Sequence, residues 1–253
     1  MSRLITRRAL VGSVAVGAGA LLSGCDKVAD NPGFRKILFS GDTINMGLQR
    51  ALSSRHSLAP EFRPDQMSPI FRVNGTHNPD TPDYNAMVTE NFAHWRLQVD
   101  GLVSKPLSLS MAQLRTLPAR TQITRHDCVE GWSAIGKWHG PLLGTILKAA
   151  GIRSGARYIV FTCADLYHGA PYYESIDLID AFHPQTILAW ALNNAVLSVG
   201  HGAPLRLRIE RQLGYKQAKY IMKITAVASL DGIGQGKGGY WEDRIGYDWY
   251  AGI

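Results

Sequence analysis

The residues with the richest chemistry lie in one stretch, Arg125-His126-Asp127-Cys128-Val129-Glu130-Gly131-Trp132-Ser133. The alternating run over 121–125 predicts a strand, and that strand ends here in loop-forming residues, with Cys128 at the transition. A thiol presented at a strand end can ligate a soft or high-valent metal. Arg125 and a cationic His126 would favour the thiolate, while Asp127 and Glu130 would oppose it. Two other cysteines are present, Cys25 and Cys163. In an oxidising compartment Cys128 is equally open to a disulfide with Cys163, or to life as a buried free thiol.

The surrounding pattern shows what must hold this segment. Residues 95–99 alternate into the Asp100-Gly101 turn, and 107–109 read as a second short strand. Ser110 caps a brief helix over 111–117 that Pro118 closes, and a helix with Pro141 near its start runs to Ala150, with Gly151 just past its end. Residues 157–163 predict a buried strand and 175–182 a helix, with Ile176, Ile179 and Phe182 on one face. A hairpin is expected over 186–192 and 195–199 around Asn193-Asn194, followed by strands at 205–209 and 220–230. Residues 66–90, rich in Pro, read as loop. Residues 168–174 read as a polar aromatic loop, and 232–253 as a tail rich in Gly and aromatics. Helices and strands do not alternate regularly and no G-x-G-x-x-G follows a strand, so the expected class is α+β with mixed β-sheets and surrounding helices.

Three ordered blocks carry a resemblance. C-x-E-G-W-S from Cys128, followed by Trp138-His139-Gly140-Pro141-Leu142, then Gly200-His201-Gly202-Ala203-Pro204-Leu205-Arg206, then Gly214-Tyr215-Lys216-Gln217-Ala218-Lys219, together resemble the molybdopterin-binding domain of the sulfite oxidase family over about residues 68–230. The likeness is to its bacterial methionine sulfoxide reductase branch. It implies the sulfite-oxidase-like fold and a Mo-molybdopterin cofactor, a pyranopterin dithiolene whose molybdenum takes one protein thiolate, here Cys128 as metal ligand and catalytic centre. Arg206 and Lys219 are then the expected phosphate and pterin contacts, helped by Gln217, Ala218 and His201, the last standing where relatives often have Asn. Phe71, Arg72, Val73, Asn74 and His77 resemble the family's cofactor-binding loop. Cys163 falls near a cofactor-contacting Thr of the reductases, or is a small buried strand residue. Trp132, Tyr172 and Tyr173 are candidates for the substrate pocket. Where plant and animal sulfite oxidases carry G-N-R-R after the cysteine, this chain has Glu130-Gly131-Trp132-Ser133, which disfavours sulfite. The family's added dimerisation domain finds no room after Arg206, so a monomer is expected.

Composition is that of a globular domain. Of 253 residues 45% are hydrophobic and 19% charged, a globular mix that excludes disorder. The formal charge of +7 includes Arg3, Arg7 and Arg8, and the remaining basic residues are scattered, so nucleic acid is not expected as a partner. Arg7-Arg8 precede a short apolar run over 9–22, too short to span a bilayer comfortably, which reads as a twin-arginine signal peptide over 1–24. Leu22-Ser23-Gly24-Cys25 resembles a lipobox, so Cys25 is expected to carry a lipid anchor to the inner membrane. Residues 25–65 read as a tether and lead-in with a short helix near 44–52, and 66–253 as the oxidoreductase domain. No C-x-x-C-H haem motif occurs, so the electron-transfer partner is separate: a membrane haem or quinone-linked protein, or a cytochrome. The expected activity is periplasmic two-electron oxygen-atom transfer on a small sulfoxide-like or other oxo substrate. The alternatives are a sulfite dehydrogenase and a non-catalytic lipid-anchored binding module with a Cys128–Cys163 disulfide.

Overall fold

The computed structural model describes residues 31–253. The arginine pair, the apolar run and Cys25 lie outside the described residues. The chain divides into two units after Leu52. What is described of the first is one helix, α1 (Pro32–Leu52), longer than the short piece expected, with Ile44, Leu48 and Leu52 exposed at four-residue spacing. Everything that follows concerns the second unit, Ser53–Ile253.

Its main layer is a five-stranded mixed sheet. It is built from β1 (Arg96–Gly101), β2 (Leu107–Ser110), β5 (Tyr158–Tyr167), β6 (Ala170–Asp177) and β11 (Ile221–Val227), in the order β2-β1-β11-β5-β6. Only β1 and β11 run parallel; the other neighbours are antiparallel. The period of two is plain in β1, where Leu97 and Val99 are buried between exposed Arg96 and Gln98. Against this sheet packs α4 (Leu143–Ala150), whose Leu143, Ile146, Leu147 and Ala150 face the core. Gly151 ends it with a φ of 69°, the left-handed conformation that glycine adopts freely. A short helix, α3 (Met111–Thr116), starts at Ser110, whose hydroxyl accepts from the Gln113 N–H.

A second, antiparallel sheet joins β3 (Ala119–Asp127), β4 (Ser133–Pro141), β8 (Ala191–Leu192) and β9 (Ala195–Val196). Residues 53–65 run beside it: Phe62 N–H donates to the Ile123 carbonyl at 2.9 Å and Glu61 bridges Thr124. Asn193 and Asn194, both at positive φ, turn β8 into β9 as the hairpin reading expected. Between the sheets, β7 (Ile187–Ala189) pairs with β10 (Arg206–Arg208).

Four expectations need correction. β4 was missed because Gly136, Gly140 and Pro141 weaken a strand pattern. Gly140 is there because a Cβ would stand 2.1 Å from the Leu188 carbonyl oxygen. The helix expected over 175–182 is only α5 (Leu178–Ala181): Ser175, Ile176 and Asp177 stay in β6, paired with Val160, Ile159 and Tyr158. That pairing overrides the helical spacing, and it also makes most of the supposed 168–174 loop strand. Within the stretch read as loop, Thr81 caps α2 (Pro82–Thr89), accepting from the Tyr84 N–H.

The tail folds back as α6 (Tyr240–Ile245). It is fixed by a fully buried ion cluster: the Lys216 ammonium donates to Glu242 at 2.6 Å and also to Glu174. Removing the cation would strand two buried carboxylates. Lys216→Met is therefore expected to destabilise the fold by about 3–5 kcal/mol in thermal or denaturant unfolding; an unchanged melting temperature would contradict this role.

Candidate active site

The hairpin β3–β4 makes the position of Cys128. Asp127 pairs with Ser133, and the intervening turn closes by Cys128 N–H to the Trp132 carbonyl at 2.9 Å and Gly131 N–H to the Cys128 carbonyl at 3.0 Å. Gly131 has a φ of 84°, which the turn requires. Strand alternation puts Gln122, Thr124 and His126 on the buried face of β3 and Arg125 on the exposed one. Cys128 is 8% exposed, at the wall of an open cleft. Asn74, Gly75, Thr76, Asp165, Gln217 and Lys219 line it with Cys128, together with several aromatic side chains.

The charges around this cleft do not balance. Arg206 is completely buried, yet its Nε has no partner and its terminal nitrogens reach only the His201 carbonyl and Asn74 Oδ1, each at 3.4 Å. Burial and the neighbouring Arg208 push its pKa down from the ordinary value. Arg208 pairs with Glu210 at 2.6 Å. Both guanidinium groups lie over the buried Trp138 ring, at 5.3 and 4.3 Å. The Lys219 ammonium donates to the carbonyls of Asn74 (2.7 Å), Gly200 (3.0 Å) and Thr76. Burial, and secondarily Arg206, lower its pKa to about 7. Among the described residues neither Arg206 nor Lys219 forms a salt bridge. Asp165 is the nearest carboxylate to Lys219 by charge interaction, but burial raises its own pKa to about 6. One Asp165 oxygen accepts from the Thr76 hydroxyl at 2.9 Å and the other has no partner. Arg206, a buried guanidinium with an unmet donor, fits an anionic group bearing acceptors, and Lys219 adds a buried positive charge whose donors are met by neutral carbonyls. The unmet Asp165 oxygen fits an N–H donor.

The electrostatic sources at Cys128 differ from those expected. Burial raises the thiol's pKa; the Glu130 backbone N–H opposes the rise, the Glu130 carboxylate adds to it, and Arg206 is the cation that opposes it. Arg125 is turned outward and bound to Asp127 at 2.9 Å. His126 is held well below its ordinary pKa by burial and then by Arg206 and Arg208, so it brings no positive charge.

The cleft brings together Asn74, Cys128, Tyr172, Gln217, Ala218 and Lys219 of the residues expected from sequence. Arg206 stands behind Asn74. Phe71 packs edge-on to Trp138 at 5.1 Å, and its carbonyl accepts from the His201 ring at 3.0 Å, so both shape the cradle from behind. Val73 packs against Gly200, whereas Arg72 and His77 are exposed and outside the lining. Cys163 sits in the main core rather than in the wall. Cys128 and Cys163 are both free thiols, which removes the disulfide alternative. Trp132 lies outside the lining, its indole N–H donating to Glu130 at 2.9 Å, and Tyr173 bonds Asp243 instead of facing the cleft. Sequence reading missed Thr76, Asp165 and Arg208. A polar side chain on the buried face of a strand, as at Asp165 and Arg208, was the available signal.

Residues 84–231 match the oxidoreductase molybdopterin binding domain family. The chain belongs to this family. It is accordingly a molybdopterin-dependent oxidoreductase of sulfite oxidase type. A protein of Azospira oryzae named as a protein-methionine-sulfoxide reductase subunit, YedZ1, is 38% identical over 98% of this chain and 88% of its own. The protein-methionine-sulfoxide reductase catalytic subunit MsrP of Xanthomonas campestris is 36% identical over 59% of this chain and 50% of its own. The sulfane dehydrogenase SoxCD of Paracoccus pantotrophus superposes with a TM-score of 0.49 at 21% identity, covering 54% of this chain and 39% of that one.

The charge imbalance makes a prediction for the family member in its cofactor-free form. Lys219 has a folded pKa of about 7 against an ordinary 10.5, so the cost of its buried charge is full below about 7 and fades as pH rises toward 10.5. Sulfate should therefore raise the melting temperature of cofactor-free protein more at about pH 6 than at about pH 8.5. Arg206→Met should remove most of that rise. An equal rise at both pH values, undiminished in the variant, would contradict the assignment of these cations to an anion site.

Proposed function

We propose that this chain is a periplasmic reductase of small sulfoxide-type substrates, exported by the twin-arginine route and held at the inner membrane through Cys25. The observation that carries the reading is Cys128 on the wall of a cleft with a buried surplus of positive charge. Among the described residues no group of three or more His, Cys, Asp or Glu could hold a metal ion. Cys128 would then be the protein's own ligand to a molybdenum that the pterin cofactor brings. The relatives named as methionine-sulfoxide reductases support the substrate class.

Cys128 would hold the metal through Sγ, and Arg206 and Lys219 the cofactor phosphate. Gln217, Ala218, Asn74 and Thr76 would supply neighbouring polar and backbone contacts, and Asp165 an acceptor for a pterin N–H. When bound, this cofactor supplies a two-electron couple for moving an oxygen atom. Metal binding takes Sγ as the thiolate, so the raised thiol pKa means that a proton is released on loading. The overall reaction is R2SO plus two protons and two electrons giving R2S and water, with the electrons delivered singly by a separate haem or quinone-linked protein or cytochrome. Glu130, which lines the cleft next to Cys128, repels a dianion, which weighs against the sulfite dehydrogenase alternative.

Purified holoenzyme should reduce methionine sulfoxide or dimethyl sulfoxide with a reduced dye as donor and should leave sulfite largely unoxidised. Cys128→Ser should lower turnover by more than about 100-fold while the protein stays folded, because it removes a metal ligand rather than an outer-shell contact. Full activity in that variant would rule out ligation by Sγ. Sulfite oxidation faster than sulfoxide reduction in the wild type would replace the reading with the dehydrogenase.

A further inference from the structure

The C-terminal segment brings two side chains to the Cys128 cleft that the account above does not use. Trp241, on α6, and Tyr247, just beyond it, line the cleft with Tyr167, Tyr172 and Tyr215. Their rings form a connected wall. Trp241 stands 5.3 Å from Tyr167 and 6.5 Å from Tyr247, and Tyr247 stands 4.9 Å from Tyr215, centroid to centroid.

This wall is built, not draped. Glu242, the residue after Trp241, is fully buried on Lys216, which directly follows Tyr215 in the chain. Asp243 accepts from the N–H groups of Gln235 and Lys237 at 2.8 and 3.0 Å and from the Tyr173 hydroxyl. The Tyr215 hydroxyl donates to the Asp248 carbonyl at 2.6 Å. The buried ion cluster and these bonds fix the backbone on both sides of the aromatic faces. Holding a half-buried Trp and Tyr at a cleft mouth is what a selective binding surface needs, because little rotamer freedom remains to be lost on binding.

The chemistry of the wall selects its ligand. Aromatic faces carry negative potential and attract polarised sulfur and methyl groups. A sulfoxide is uncharged overall, with its sulfur positively polarised and its methyl groups apolar. A sulfur oxyanion presents negative charge to the same faces and to Glu130. We propose that Trp241 and Tyr247 are specificity-determining residues that select an uncharged methyl sulfoxide group over a sulfur oxyanion. The proposal rests on the sulfoxide reading given above and deepens it.

The test uses molybdenum-loaded enzyme with two readouts. One is the KM and kcat for dimethyl sulfoxide. The other is calorimetric binding of dimethyl sulfone, which shares the methyl groups and dipole but serves only as a binding probe. Trp241→Leu and Tyr247→Leu should each raise KM and weaken sulfone binding by about three- to tenfold, with kcat within about twofold. Trp241→Phe, which keeps an aromatic face, should lose less than Trp241→Leu. Competition by sulfite should be no weaker in the Leu variants than in the wild type. Leu variants that hold molybdenum and keep the wild-type KM and sulfone affinity would overturn the proposal; Tyr247→Leu carries this comparison if Trp241→Leu does not fold. A wild type that binds sulfone but does not reduce sulfoxides would sink the functional reading alone. The wall would then stand or fall on sulfone binding by the variants.

Discussion

Uncompensated positive charge in a dry place is the constraint on which this structure turns. Arg206 is entirely buried and bonded only at long range, and Lys219 is surrounded by carbonyls. A charge taken out of water costs several kcal/mol unless something opposite is placed beside it. The fold supplies that opposite for Arg208 through Glu210 and for Lys216 through Glu174 and Glu242. It does not do so for Lys219, which lines the Cys128 cleft, or for Arg206, which stands behind Asn74. The contrast within one domain is informative: where the chain needs a buried cation for architecture it neutralises it internally, and beside the cleft it leaves the neutralisation to a ligand.

The scaffold serves that arrangement by joining three separate stretches of chain. β3 and β4 present Cys128 on a tight turn, β10 places Arg206 and Arg208 on the same buried side, and the turn after β10 brings Gln217, Ala218 and Lys219 alongside. The loop at 71–77 closes against them, the Asn74 and Thr76 carbonyls accepting from Lys219 and the Phe71 carbonyl from the His201 ring. Trp138 lies under both arginines and so links the cradle to the second sheet's core. The tail contributes the remaining wall, and its attachment is ionic rather than merely apolar.

Much of this was legible in the amino-acid sequence, for reasons that can be stated. Motif blocks around Cys128, Arg206 and Lys219 are short and locally determined, so they point to the family from the sequence alone. Capping signals at Ser110 and Gly151 and the Asn193-Asn194 turn located their elements because their physics is local. What stayed hidden depends on distant partners. The helical spacing of Ile176, Ile179 and Phe182 yields to pairing with β5, and β4 uses glycines where other backbones approach closely. Trp132 and Tyr173 have the right composition for a pocket but spend their polar ends on Glu130 and Asp243. Asp165 carries no motif; only its place on a buried strand face shows its significance.

The central claim is that an anionic molybdenum cofactor completes this charge set at Cys128. Elemental and pterin analysis of the protein purified from molybdenum-replete cells tests it most directly. The account predicts about one molybdenum and about one pterin phosphate per chain, both depleted in Arg206→Met. Fully folded protein that carries neither, from cells whose other molybdenum enzymes are loaded, would contradict it.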